Sequence, residues 1–233
     1  MRLSPDRESL RAVRDSGAIT SRLREEAERF ESVLADLSRA LARVAGPEVD
    51  REIEKWLGRI CNALDLDRSG IFERSAPGRP VSLTHRWVKE PFPADPAVLV
   101  ANDISKSALA KIMAGEALTF SRPSDLPLEM EDLKRWVETH GPKAGAFFPL
   151  VAGDQVLGIA AFGKFRERQW SRELLQRLGL AVSIFASAIE RKRAEQSLQR
   201  VEAELMAASR RTLVGELAAS IAREVNQPLR DTE

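Results

Sequence analysis

From Ser171 the chain runs without a proline until Pro228, and only Gly179 and Gly215 interrupt a helical pattern over that stretch. Ordinary globular helices run about 8–20 residues, so a pattern this long cannot bury itself in a compact domain. It reads as a helical stalk that leaves a folded domain behind it.

The 233 residues suffice for one sizeable domain plus helical extensions, or at most two small domains. With 43% apolar and 30% charged residues, the composition is that of a soluble chain with long polar helices. The formal net charge is +1, and residues 191–233 carry eight basic and seven acidic groups. No basic footprint for nucleic acid or a membrane surface follows from that balance. The most apolar stretch, Gly145 to Gly163, is broken by Asp154 and Gln155, so no bilayer-spanning segment is expected. The N-terminus lacks a signal-peptide core, and the single cysteine, Cys61, has no internal disulfide partner. A cytoplasmic location is the expectation. Cys61 follows Trp56, Leu57 and Ile60 in a helical pattern and reads as a small buried hydrophobe.

Leu23, Ala27, Phe30, Leu34, Leu37, Leu41 and Val44 step alternately by four and three residues. Two readings fit: a heptad helix pairing with a second copy, or an amphipathic helix lying on the domain that follows. Gly46 and Pro47 end this segment, and Asp50 is the expected N-cap of a second helix bearing Ile53, Trp56, Leu57, Ile60 and Leu64. Strands are expected at Ser69–Glu73 and Val81–Val88, joined by a slack Pro/Gly-rich loop. Residues 90–103 hold three prolines and read as an irregular crossing. After it come a helix at Ser105–Ala114, an extended Ala117–Phe120 and a helix at Leu128–His140. Ala144–Phe165 forms the clearest hairpin, turning at Gly153–Asp154. Alternation groups Phe148, Leu150 and Ala152 on one face of its first strand, and Val156, Gly158, Ala160 and Phe162 on one face of its second. Pro149 cannot donate to a ladder, so its amide side should lack a neighbour.

Two segments carry family resemblances. The order helix, hairpin, crossing with short helices, hairpin, long exit helix resembles a GAF domain over about Ala45–Arg193. Glu48–Leu66, Ala114-Gly115-Glu116 and above all Pro149–Glu195 carry it. This implies an α+β fold, a GAF-like antiparallel sheet with flanking helices, extended by N-terminal and long C-terminal coiled-coil-like helices. The expected organisation is an N-terminal segment (1–22), a heptad helix (23–44), a sensor domain (45–193) and a partial dimerisation helix (194–233).

The second resemblance is Leu213–Leu229, LVGELAASIAREVNQPL, which is similar to the phosphoacceptor box of sensor histidine kinases. Gly215, Glu216, Leu217, Ser220, Ile221, Ala222, Glu224, Asn226, Gln227, Pro228 and Leu229 fit that pattern in register, and Arg223 stands in the place of the phosphoacceptor histidine. At about 100° per residue Leu217, Ile221 and Val225 share one face and Arg223 lies roughly opposite. Guanidinium stays protonated and offers no nitrogen lone pair, so the family's phosphotransfer is expected to be absent here. After Leu229 only four residues remain, and no ATP-binding domain is present. The resemblance thus implies a sensing and dimerisation module of a two-component protein, a homodimer through parallel helices, with a response regulator or kinase as partner. The alternatives are a component phosphorylated or completed by a separate ATP-binding protein, or a truncated remnant.

No cofactor is identifiable. Covalent bilin attachment, known in GAF domains, needs a cysteine in a context that Cys61 lacks, and the family's cyclic-nucleotide signature is not recognisable. His85 and His140 are the only histidines, so no metal site is expected and a haem would have a single axial candidate at each. For a small-molecule ligand the candidate residues are Phe72, His85, Trp87, Trp136 and Phe148, together with Phe147; plain core packing is the competing reading.

Overall fold

The computed structural model describes residues 28–76, 79–92, 101 and 105–226; at 219–220 and 222–226 only the backbone is described. Expectations resting on residues 1–27, on most of the 90–103 crossing, on Gln227, Pro228 and Leu229, and on the side chains of Arg223, Glu224 and Asn226 lie outside the described residues.

Among the described residues, five strands form one antiparallel sheet in the order β2-β1-β5-β4-β3. They are β1 (Arg68–Arg74), β2 (Val81–Val88), β3 (Leu118–Phe120), β4 (Ala144–Ala152) and β5 (Gln155–Lys164). The expected β4–β5 hairpin forms, with Ala152 opposite Gln155 and Gly153 at φ 55°, a backbone conformation that a two-residue hairpin loop favours at its first position. Leu118 of β3 pairs with Phe147, so at Pro149 β4 has, among the described residues, β5 as its only strand neighbour, and the missing amide breaks no second ladder there.

Three helices cover one face of this sheet: α1 (28–43), α2 (Glu48–Ala63) and the first turns of α5 (Arg172–Asn226). Leu37 and Leu41 of α1, Ile53, Leu57 and Ile60 of α2, and Leu178, Phe185 and Ile189 of α5 share one buried cluster with Ile71, Leu150 and Phe162 of the sheet. The heptad-like seam is therefore packed within the chain along its described part. Phe30, Leu37 and Leu41 are buried, Leu34 and Val44 pack against the same cluster, and Arg177 of α5 lies 5.5 Å from the Phe30 ring. The core accordingly reaches back to Phe30, ahead of the boundary expected at residue 45.

On the opposite face lie α3 (Lys106–Met113), two 3-10 turns (Pro123–Asp125 and Leu128–Met130) and α4 (Glu131–His140). The segment expected as one helix from Leu128 begins as a 3-10 turn, with Leu128 92% exposed, and turns α-helical only at Glu131. From there Leu133 and Val137 are buried, and Gly141 at φ 97° ends the helix. Ser105 caps α3: its Oγ accepts from the Ala108 amide at 3.2 Å and donates to Asp132 Oδ1 at 2.8 Å, tying α3 to the first turn of α4.

The cap of α2 differs from expectation. Its helix begins at Glu48 with Pro47 at the cap position, so Asp50 sits inside the first turn and its carboxylate meets His85 Nε2 at 2.9 Å. A carboxylate there also faces the positive end of the helix dipole. At the other end, Arg168 Nη1 donates to the carbonyls of Leu64 and Asp65 at 2.9 and 2.5 Å, and Lys164 Nζ donates to the Asp65 carbonyl at 2.7 Å. Two cations thus satisfy carbonyls that the helix end leaves without partners. The Lys164 ammonium also holds the Asp65 carboxyl below the usual carboxylate range.

The chain divides into two compact units, Met1–Glu190 and Arg191–Glu233. In the second unit Leu198, Val201, Leu205, Leu213, Leu217 and Ile221 are all more than half exposed. Among the described residues no helix is long and apolar enough to cross a membrane.

If α1 is a core element, Leu37→Ala removes packing from a side chain with no solvent exposure. Chemical denaturation should then show a loss of about 2–5 kcal/mol; an unchanged midpoint would place the seam outside the domain core. Burial pushes the Cys61 thiol up to about 12. The folded state therefore holds this proton more tightly than the unfolded chain. The associated stability is fully present below the ordinary thiol value and is lost as pH rises toward 12. Iodoacetamide at pH 8 should leave Cys61 unmodified in the folded protein and alkylate it in denaturant, as read by mass spectrometry.

Candidate functional site

Alternation along the strands sends Arg68, Gly70 and Phe72 of β1 to the face away from α2, along with Gly145 and Phe147 of β4 and Ala161 and Gly163 of β5. Large side chains stand at the rim of this set and small ones at its centre. The result is a cavity of about 50 Å³ with a nearly side-chain-free floor. Its walls come from Phe120 of β3 and from Leu133, Trp136 and Val137 of α4. The floor has no space for substituents. A Cβ at 145 would lie 2.5 Å from the Phe120 ring, and one at 163 would lie 2.9 Å from Arg68 Cγ.

A second void of about 40 Å³ adjoins it beneath α3, lined by Ala108, Leu109, Ile112 and Ile159. Phe72, Leu133 and Phe147 border both voids, so these three side chains form the septum between them.

Arg68 closes one side of the first void. Its guanidinium lies 5.5 Å from the Trp136 ring centroid and 5.9 Å from that of Phe165. Both rings are themselves stacked: Phe165 on Phe92 at 4.1 Å, and Trp136 on His140 at 4.6 Å. His140 is further oriented by its Nδ1, which lies 2.9 Å from the Trp136 carbonyl that accepts from it. The cation is held between aromatic faces in a defined orientation.

Of the residues singled out in the sequence, Phe72, Trp136 and Phe147 line this cavity. His85, Trp87 and Phe148 lie on the helix-covered side. Phe148 follows Phe147 directly and must point to the other face, where it meets Phe162 edge-on at 6.2 Å. His85 and Trp87 are turned by an irregularity. The β1–β2 register shifts between Ile71 and Phe72, so Val81 and Leu83 face α3 while His85 and Trp87 face α2. His85, buried to 2% exposure, is a brace: Nε2 meets Asp50 of α2, and Nδ1 meets Thr84 Oγ1 at 2.9 Å. Trp87 packs where Gly58 of α2 has no side chain; a Cβ there would lie 2.6 Å from the indole nitrogen.

Sequence reasoning missed Arg68, Phe120, Leu133 and Val137 as lining residues. The signal for the strand contributions was present in the alternation Gly145-x-Phe147 and Ala161-x-Gly163. The wall from α4 depended on which sheet face that helix covers. Among the described residues, no group of three or more His, Cys, Asp or Glu side chains is arranged to hold a metal ion. Cys61 belongs to the helix-side core, across the sheet from the cavity.

Comparison with known proteins places these features in a lineage. The family model of the GAF domain matches residues 49–189. No curated protein matches the sequence significantly. Among solved structures, the phycoerythrobilin-bound GAF domain of a cyanobacterial phytochrome superposes with a TM-score of 0.60 at 17% identity, covering 72% of this chain and 97% of that one. A phycocyanobilin-bound GAF domain from a cyanobacterial phytochrome gives 0.61 at 17% identity, over 71% of this chain and 96% of that one. The chromophore-binding domain of an unusual bacteriophytochrome from R. palustris gives 0.59 at 13% identity over 73% of this chain, which spans 63% of that domain's length. At these identities the structural likeness concerns the fold, while the family match covers the sheet, α2–α4 and the start of α5: the chain belongs to the GAF-domain family.

Proposed function

We propose that this chain is a signal-sensing and dimerisation module of a two-component, histidine-kinase-type protein that performs no phosphotransfer at position 223. One observation carries the reading: α5 is a single helix, Arg172–Asn226, with GAF-domain core residues at one end and the phosphoacceptor-box-like sequence at the other. Leu178, Phe185 and Ile189 are buried in the first unit, and the second contains Leu213–Asn226 of the motif. Such a helix suits a sensor, because a ligand can act only by binding one packing arrangement better than another. Phe162 borders the cavity and belongs to the same buried cluster as Phe185, which gives the ligand site a packed connection to the start of α5.

In the second unit, exposed Leu198, Val201 and Leu205 step by three and four residues, the spacing of a helix-pairing seam. This favours association of two copies through parallel helices. Arg223 stands at the phosphoacceptor position of the motif and cannot present a neutral nucleophilic nitrogen. Two fold neighbours hold bilins, but the geometry here supports a smaller ligand. Cys61 is buried across the sheet, and the void is far below the roughly 300–1,000 Å³ of typical ligand pockets.

The register of the motif also favours a second reading, in which a separate ATP-binding kinase phosphorylates this helix. Incubation with a related histidine kinase and labelled ATP separates the two: the unaltered chain should acquire no acid-labile phosphoryl group, and its appearance would overturn the assignment at 223. Arg223→His should gain label if the remaining motif suffices for docking. Sedimentation should give a dimer at micromolar concentration; a monomer at high micromolar concentration removes the dimerisation part.

A further inference from the structure

We propose that the cleft where α1, the end of α2 and the start of α5 meet binds a small soluble phosphate monoester, its phosphate among Arg29, Arg168 and Arg177 and its apolar body against Phe30 and Leu174. The site goes beyond the sensor reading and is separate from the void over the sheet.

Size and lining point to a small molecule with two unlike ends. The cleft holds about 1000 Å³, at the top of the range of ligand pockets. Its lining lies within the first unit and comes from residues 29–33 of α1, 63–65 at the end of α2 and 168–177 leading into α5. Phe30, Val33, Leu64 and Leu174 give it an apolar side, and the arginines give it a cationic one.

Charge decides the class. Glu173 and Asp65 also line the cleft, but Glu173 is paired with Arg177 Nη2 at 2.5 Å and Asp65 with the Lys164 ammonium at 2.7 Å. Arg29, Arg168, Arg177 and Lys164 thus outnumber the two carboxylates by two. A phosphate monoester carries about −1.5 to −2 at neutral pH and matches that excess. A carboxylate offsets only half of it, and an ammonium adds to it.

The guanidiniums keep donors for the anion, because each carries N–H groups on every nitrogen. Arg168 uses Nη1 on the carbonyls of Leu64 and Asp65, which leaves Nε and Nη2. Arg177 uses Nη2 on Glu173, which leaves Nε and Nη1. These bonds, with the Trp170 ring 5.8 Å from the first cation and the Phe30 ring 5.5 Å from the second, orient both side chains in advance and lower the entropy lost on binding. Arg29 stands exposed at the start of α1 and supplies the third cation. A phosphate held by all three favours the arrangement in which α1 and the start of the exit helix are drawn together.

The test is a titration of the full chain, methyl-labelled at leucine and valine, at about pH 7.5 with phenyl phosphate, with singly charged benzoate and with uncharged benzyl alcohol. Phenyl phosphate should shift the Val33 and Leu174 methyl resonances saturably. Benzoate should bind about tenfold more weakly, the scale of one charged hydrogen-bonded contact, and benzyl alcohol more weakly still. Arg29→Gln and Arg177→Gln should each weaken phenyl phosphate about tenfold, while Arg200→Gln in the second unit leaves it unchanged. No saturable shift at those methyls, or benzoate or benzyl alcohol binding as tightly as phenyl phosphate, would overturn the proposal. So would an equal loss in Arg200→Gln and Arg29→Gln, the mark of unspecific charge attraction. The probe comparison needs no variant, so it decides the matter even if Arg177→Gln does not fold. Phosphatidylcholine vesicles containing phosphatidic acid present the same group on a lipid: the chain should stay in solution when they are pelleted, and co-pelleting would overturn the soluble ligand in favour of a headgroup.

Discussion

Burial of the sheet on both faces is the constraint from which the rest of the domain follows. A strand's side chains alternate, so each residue of β1, β4 and β5 is assigned either to the three-helix core or to the α3–α4 side. Ile71, Phe148, Leu150 and Ala160 go one way; Phe72, Phe147, Ile159 and Ala161 go the other. The two layers are then filled by different means. The helix side is packed with Leu, Ile and Phe from α1, α2 and α5 and is fully buried over most of its area. The other side carries glycine and alanine where its neighbours carry aromatics, and the mismatch leaves the voids.

Such an arrangement separates stability from recognition. The helix-side core holds α2 at both ends through polar contacts that would be costly to break. His85 and Asp50 brace its first turn, and Arg168 and Lys164 cap its last carbonyls. Because α1 shares that core, the domain does not need a partner to bury its first helix. On the cavity side the elements are shorter, and the α3–α4 link passes through Ser105 and Asp132. Phe162 alone among the named core side chains belongs to the larger core and also borders the cavity.

The exit helix changes character along its length in a way that its composition anticipates. Leu174, Leu178, Val182, Phe185 and Ile189 recur at three- and four-residue steps and are buried in the first unit. Leu198, Val201 and Leu205 recur at similar spacing in the second and are exposed there. Equal periodicity with opposite burial means that pattern alone records an apolar face without naming what covers it.

The same limit separates what was legible in the sequence from what was not. Local chemistry determined the elements: strand alternation, the Gly153 turn and the proline-free run of α5 each depend on residues close in sequence, and each appears where it was read; the Ser105 cap and the left-handed Gly141 after α4 are equally local but were not read. The family resemblance in 149–195 was legible for the same reason. Tertiary structure alone decided the partners. The seam from Phe30 to Val44 fits a second copy or its own domain equally well, and the fold selects the domain for its described part. Asp50 reads as a helix cap until His85 is brought beside it. Phe147 and Phe148 are chemically alike, and only the direction of the pleat puts one in the cavity and the other in the core. Trp87 and His85 were displaced by a register shift that no local pattern announces. Arg68 meets Trp136 and Phe165 only because β1, α4 and the end of β5, far apart in sequence, come together. Periodicity specifies which face is apolar; the surface that meets it depends on long-range packing.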